Sequence, residues 1–148
     1  TFEKTIDVTY KNNAGLNEDD RKFQHETVMK LFNMTEELAY MVYVIDELIL
    51  NENTTESTRS ELNELKKSLV ITTGDNYVGA AKKQLREKMS DLYSKVASSY
   101  DKPSANELEN LALIENEMKS ANKRYSKILK KVNSTLIPKK SFEDFINE

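Results

Sequence analysis

The sequence predicts an all-α fold: an antiparallel bundle of three long helices and a shorter fourth, preceded by one N-terminal β-strand and closed by a short C-terminal helix. After Asn17, apolar residues recur at intervals of three and four, as they do along one face of an α-helix. Only three Gly and two Pro occur among 148 residues, of which 32% are charged. This composition favours a bundle with few loops, and the length favours one domain, with the bundle spanning residues 17–148.

The first 13 residues differ from the rest of the chain, because apolar and polar side chains alternate along TFEKTIDVTY. Alternation with a period of two predicts a half-buried β-strand. A lone strand cannot satisfy its own backbone, so we interpret residues 1–13 as the remnant of a preceding immunoglobulin-like unit in a longer protein. We expect this strand to lie across the bundle or to pair with a second copy of the chain.

Capping residues and breaks predict the first three helices. Asn17 and the acidic residues after it begin a helix that we expect over residues 18–50. The polar segment NENTTESTRS ends this helix, and a short, peripheral second helix follows before a break at Gly74. A third long helix is expected to end near Tyr100. Its apolar positions are Val78, Ala81, Leu85, Met89, Leu92 and Val96.

The fourth helix is predicted from a clear boundary and a capping box. Pro103 disfavours helix at the preceding residue, and Ser104 with Glu107 forms the S-x-x-E pattern that opens a helix. Its apolar repeat predicts a helix that continues to about Thr135, before Pro138.

The terminal segment SFEDFINE predicts one further short helix. Ser141 is its expected N-cap, and Phe142, Phe145 and Ile146 are expected to dock as a lid.

No catalytic residue, cofactor-binding residue or metal ligand is predicted. His25 is the only histidine, and Met29 stands where the second ligand of an H-E-x-x-H zinc motif would be. There is no Cys, no G-x-S-x-G elbow and no glycine-rich phosphate loop. A metalloenzyme that uses carboxylates alone remains an alternative, although the acids of the first helix fit its solvated edges. They are Glu36, Glu37, Asp46 and Glu47.

Charge and hydropathy limit the classes of partner. The formal net charge of −3 gives no general attraction to nucleic acid. The most apolar stretch, LAYMVYVIDELIL, is interrupted by Asp46 and Glu47 and is shorter than the roughly 20 residues that a membrane span needs. We therefore expect neither nucleic-acid binding nor a membrane span.

The strongest charge feature lies in residues 119–140, which contain eight basic residues and no acid. Four of these lysines are spaced by four and should form one basic ridge on a helix. They are Lys119, Lys123, Lys127 and Lys131. The ridge is open to two interpretations: it binds an acidic partner, or it places cations in the C-terminal half of a helix whose N-terminal half is acidic, as the helix dipole favours.

The order of elements resembles that of a known family. The chain begins with the predicted strand TFEKTIDVTY, which is followed by a long helix around ETVMKLFNMTEELAYMVYVIDEL. It continues with LYSKVASSYDKPSANELENLALIENEM, which contains a D-x-P-S junction from Asp101 to Ser104. In this the chain resembles the C-terminal helical region of secreted bacterial proteins that carry a BNR/sialidase-like β-propeller and are loosely grouped with glycosyl hydrolases.

The resemblance implies a role but no reaction. Glycosidase chemistry would belong to the propeller, whose Asp-box repeats contain Trp, and this chain contains no Trp. It implies a non-catalytic accessory domain that contacts other domains of an exported parent protein, in the periplasm or at the cell surface of a bacterium. The alternative is a free-standing helical adaptor that binds an acidic partner through the basic ridge.

Overall fold

The protein is a helical bundle in the computed structural model, which describes residues 3–5, 17–70 and 82–147. These residues form five α-helices and one 3₁₀ turn, and no β-strand lies among them. The elements are α1 (Glu18–Leu50), α2 (Glu56–Leu69), α3 (Leu85–Ala97), α4 (Ala105–Leu129), the 3₁₀ turn (Ser134–Leu136) and α5 (Phe142–Ile146).

Helix α1 has the predicted bounds. The side chain of Asn17 accepts a hydrogen bond from the Asp19 N–H at 3.0 Å, which satisfies one of the unpaired donors at the N-terminus of a helix. At the other end the Asn51 N–H donates to the Glu47 carbonyl, and the backbone then becomes extended. The buried side chains of α1 lie along one face. They are Thr27, Leu31, Leu38, Met41, Val44, Ile45 and Leu48.

Helix α2 is short, as predicted, but it is not peripheral. Its leucines at 62, 65 and 69 are buried, because α1, α3 and α4 all contact this helix. The apolar stripe of this helix is narrow, which is why its sequence favours an outer position. The three leucines are nevertheless buried between the larger helices, and burial of each leucine side chain stabilises the core by about 1.5–3 kcal/mol.

Helix α3 begins later than predicted, at Leu85. The backbone N–H of Gln84 donates to the Glu87 carboxylate, which closes a capping box and fixes the start of the helix. The expected onset around Val78 and Ala81 lies outside the described residues. The described bundle therefore has two long helices and two short ones, instead of three long helices and one short helix.

The two short helices together take the place of the third long one. Both run antiparallel to α1, with α2 beside its C-terminal half and α3 beside its N-terminal half. Three contacts mark this order: the Gln24 side chain donates to the Val96 carbonyl, the Thr35 side chain contacts Met89, and Lys66 pairs with Asp46. We call α2 and α3 the interrupted rod.

Helix α4 runs parallel to α1 and antiparallel to the interrupted rod. Lys30 of α1 pairs with Glu115 of α4, and further along both helices Glu37 and Asn122 line one groove. Both pairs of positions differ by 85 in the sequence, so the two helices keep a constant parallel register.

Helix α4 ends at Leu129, and the prediction that it continues to Thr135 is wrong. The N–H groups of Lys131 and Val132 donate to carbonyls only three residues back, which tightens the last turn. The Asn133 side chain then accepts from the Thr135 N–H at 3.1 Å and starts the separate 3₁₀ turn. The cap at Asn133 therefore starts a separate turn where the sequence predicts that α4 continues.

The short C-terminal helix α5 is confirmed, with Ser141 as its N-cap. The rings of Phe142 and Phe145 are half-buried and lie 5.5 and 5.6 Å from the ring of Tyr40. Contacts with α1 are therefore seen for two of the three predicted side chains, and Ile146 is 38% exposed.

The predicted N-terminal strand is not seen among the described residues. Residues 3–5 are not in a strand, and the rest of the prediction for residues 1–13 lies outside the described residues. Within the described segments, every helix is too short or too polar to cross a lipid bilayer.

Candidate interaction surface

The structure places three of the four predicted ridge lysines in one row on α4. Lys119, Lys123 and Lys127 are exposed and follow one another at about 6 Å along the helix axis. The opposite face of α4 is the buried one and carries Ile114 and Ala121. We call these three residues the lysine row, because they point away from the core on one strip of surface.

The lysine row groups three lysines on one strip of α4, none of which has an ion pair with a described residue. Among the described residues, single lysines elsewhere, such as Lys67 and Lys95, also lack an ion pair, but several lysines that lie beside another helix pair with a carboxylate of that helix. Such pairs join Lys30 to Glu115, Lys66 to Asp46, Lys88 to Glu117 and Lys131 to Glu61. Three of the four acids of α4 already have partners: Glu107 in the cap, and Glu115 and Glu117 in these pairs. The fourth, Glu109, lies about 15 Å along the helix axis from Lys119.

The fourth predicted lysine is not part of the row. Lys131 follows the end of α4, and its ammonium group lies 2.8 Å from both carboxylate oxygens of Glu61 on α2. Further on, the ammonium group of Lys140 lies 5.5 Å from the ring centre of Phe145 and 5.9 Å from that of Tyr43. The basic residues 119–140 therefore do not form one continuous ridge.

The helix dipole accounts for only part of this charge distribution. Its effect falls off within the last turn of a helix, and Lys127 is the only member of the row in the last turn of α4. Lys119 lies about 15 Å along the axis from the last helical residue. The dipole therefore favours Lys127 and gives no reason for the cations at 119 and 123.

A groove of about 260 Å³ lies beside the lysine row, between α1 and α4. Met34 and Met118 form its apolar part, and Met118 is buried. Its polar residues are Lys30, Glu37, Glu115, Lys119 and Asn122. Lys119 thus belongs both to the lysine row and to the edge of the groove.

A second groove, of about 320 Å³, lies between α3 and α4. Its charged side chains are largely paired with one another, since Lys83 pairs with Asp91 and Lys88 with Glu117. Leu113, which is 56% exposed, lies at its edge. Lys95, which also lines it, has no ion pair with a described residue, so the lining carries one excess positive charge but no row of cations.

One tyrosine is perturbed by its place between α1 and α4. Burial, and secondarily the nearby Tyr40, raise the pKa of Tyr125 to about 12. This phenol therefore stays protonated at neutral pH and is not poised as a base.

The side chains considered for metal binding are not brought together. His25 is exposed on α1. In the part of the chain that the structure describes, no three His, Cys, Asp or Glu side chains are grouped so that they could hold a metal ion.

Reasoning from the sequence missed the groove beside the lysine row. Met34 and Met118 lie at apolar positions of their helices, but nothing in the sequence shows the register that brings α1 and α4 together. Met34 and Glu115 are far apart in the chain and share no local motif. The only available signal was the acid-free lysine spacing from 119 to 127.

Comparisons with protein-family models, curated proteins and solved structures find no match to this chain. The resemblance to propeller-associated helical regions therefore stays a prediction.

Proposed function

We propose that this chain is a non-catalytic helical interaction domain that binds an acidic protein surface through the lysine row. The observation that carries this proposal is the clustering of unpaired charge: Lys119, Lys123 and Lys127 follow one another on one exposed strip of α4, and none of them has an ion pair with any described residue. Like charges four residues apart destabilise a helix by about 0.2–0.5 kcal/mol per pair, and the carboxylates of a bound partner would offset this repulsion.

Carboxylates of a protein helix fit this spacing. Acidic residues four positions apart on a partner helix also repeat at about 6 Å, so each can meet one lysine of the row. Such complementarity mainly raises the rate of association and selects the partner, and its effect weakens as salt is added.

The proposal is tested by charge reversal, with a short helical peptide that carries Glu at every fourth position as the probe. The variant Lys119→Glu/Lys123→Glu/Lys127→Glu should weaken binding at least tenfold, because three attractions become repulsions. Binding is measured by fluorescence anisotropy at low and high salt, and amide shifts should map to residues 119–127.

A matched control reverses three exposed lysines elsewhere: Lys67→Glu/Lys82→Glu/Lys95→Glu. It changes the net charge equally, and we expect it to retain most of the affinity. Equal weakening by both variants would mean that overall charge, and not the lysine row, governs binding.

The parent protein is a further part of this proposal. We place the interaction domain at the C-terminus of a larger exported, glycosidase-like propeller protein, in the periplasm or at the cell surface. Support comes from the resemblance of the helical segments and from the junction between Asp101 and Ser104 in the sequence. A coding sequence with Asp boxes upstream of Thr1 would support this placement, and a signal peptide directly upstream would contradict it.

A further inference from the structure

We infer that the groove between α1 and α4 receives one apolar side chain of the acidic partner, so that the partner is an amphipathic acidic helix with an apolar anchor. This inference rests on the proposed function and makes its partner more specific. It combines two features that share Lys119: the lysine row and the groove lined by Met34 and Met118.

The size of the groove favours a side chain over a cofactor. Its volume is about 260 Å³. Pockets for drug-sized ligands and cofactors span about 300–1,000 Å³ and enclose most of the ligand. This groove is smaller and open to solvent along its length, which suits one protruding side chain of a bound helix.

The lining of the groove is suited to an aliphatic or aromatic anchor. Met34 and Met118 present flexible, polarizable thioethers, which adapt to apolar side chains of different shape. The carboxylate of Glu115 is paired with Lys30, so it adds no unbalanced charge to the groove.

The charges at the two edges orient the partner. Lys119 lies on the α4 edge and exposed Glu37 on the α1 edge. A carboxylate of the partner is attracted on the α4 side and repelled on the α1 side. We therefore expect the acids of the partner three or four positions from its apolar anchor, where they meet Lys119 and Lys123.

The test uses two fluorescein-labelled helical peptides that have Glu at every fourth position. One carries a single Leu three positions from a Glu, and the other carries Ser in its place. We expect the Leu peptide to bind about tenfold more tightly, since an open groove buries only part of the leucine.

Blocking the groove separates the anchor from the charges. Asn122 is exposed and lines the groove, so Asn122→Trp fills it without altering the core. This variant should lose the tenfold preference for Leu but retain binding of the Ser peptide, whereas Ser94→Trp, at an exposed position of α3 outside the groove, should keep the preference. Circular dichroism of each variant checks that the bundle is folded.

Each other outcome overturns a defined part of the argument. Equal binding of both peptides, abolished by reversing the lysine row, would overturn the anchor and leave the proposed function standing. No lysine-dependent binding of either peptide would overturn both. Tighter binding of inorganic polyphosphate at the same amides would assign the surface to a phosphate polymer, and dimerisation through residues 119–127 would assign it to a second copy.

Discussion

At the scale of single residues, the helix caps are the best-determined features of the molecule. The Ser104 hydroxyl accepts from the Glu107 N–H at 3.3 Å, and the Glu107 carboxylate accepts from the Ser104 N–H at 2.8 Å and from its hydroxyl at 2.7 Å. The hydroxyl contact is the main reason that the pKa of Glu107 lies below its ordinary value of 4.5. These contacts join residues three positions apart, so the sequence is enough to predict them.

We predict that Ser104→Ala lowers the free energy of unfolding by about 1 kcal/mol, because the N-cap hydroxyl is lost. A carboxyl whose pKa is lowered by folding stabilises the fold above its unfolded pKa, and this stabilisation is lost as the pH falls through the folded pKa. The variant should therefore lose less stability than the wild type on acidification. Urea unfolding at neutral pH and below pH 4.5 measures both effects.

The control for this experiment is Ser120→Ala, which removes an exposed hydroxyl from the interior of α4. We expect little change in stability from it at either pH. An equal loss in both variants would show that the capping box does not determine the start of α4.

Other contacts at this scale could not be predicted from the sequence. Lys131 pairs with Glu61, 70 positions away, and this contact removes Lys131 from the predicted ridge. The spacing of four that grouped it with Lys127 holds only while the helix continues. Because α4 ends at Leu129, the fourth lysine turns towards α2.

At the scale of elements, apolar periodicity predicted burial more reliably than helix length. Val132 and Leu136 continue the apolar repeat of α4 and pack against the core, yet both lie beyond the end of the helix. A 3₁₀ turn with its own Asn133 cap places them there. The pattern therefore identified the inward-facing residues correctly, while the local competition between caps decided where the helix ends.

Helix α5 gives a prediction at this scale, because two aromatic side chains attach it to α1. Phe145 lies 5.6 Å from the ring of Tyr40 and 5.2 Å from that of Tyr43, and the Tyr40 hydroxyl donates to the Lys140 carbonyl at 3.0 Å. We predict that Phe145→Ala costs about 1–2 kcal/mol and releases α5, since the aromatic contacts and part of the apolar burial are lost. NMR should show coil-like shifts for residues 141–147.

Ile146→Ala is the matched control, because this neighbouring side chain is 38% exposed and takes no part in the ring contacts with Tyr40 and Tyr43. It should leave α5 attached and cost less stability than Phe145→Ala. Release of α5 by the control, or retention of α5 in Phe145→Ala, would show that the ring contacts do not hold the helix.

At the scale of the whole molecule, the helical bundle was predicted, but its arrangement was not. Apolar periodicity and capping residues predict each helix, whereas the end-to-end placement of α2 and α3 depends on contacts between distant segments. The groove also depends on such contacts, because it forms where α1 and α4 run in parallel register, and the sequence therefore did not predict it. Local sequence patterns are enough to predict the fold class, but they do not determine how the helices pack against one another, and the candidate site depends on that packing.

The interrupted rod raises the question of whether the bundle unfolds as one unit. Helix α2 stabilises one half through Leu65, and α3 stabilises the other half through Met89; both side chains are fully buried. Helices α1 and α4 extend along both halves and contact both short helices. Loss of either half would leave half of each long helix without its packing partner, which favours a single cooperative transition.

We therefore predict that Leu65→Ala and Met89→Ala each cost about 2–5 kcal/mol and that each speeds amide exchange in both α2 and α3. The reason is that the slowest amides of either half exchange through the same global unfolding. Lys67→Ala, at an exposed position of α2, should change neither stability nor exchange appreciably. Hydrogen exchange followed by NMR distinguishes a single cooperative transition from separate unfolding of the two halves. Faster exchange confined to α2 in Leu65→Ala and to α3 in Met89→Ala would show that the two halves unfold separately.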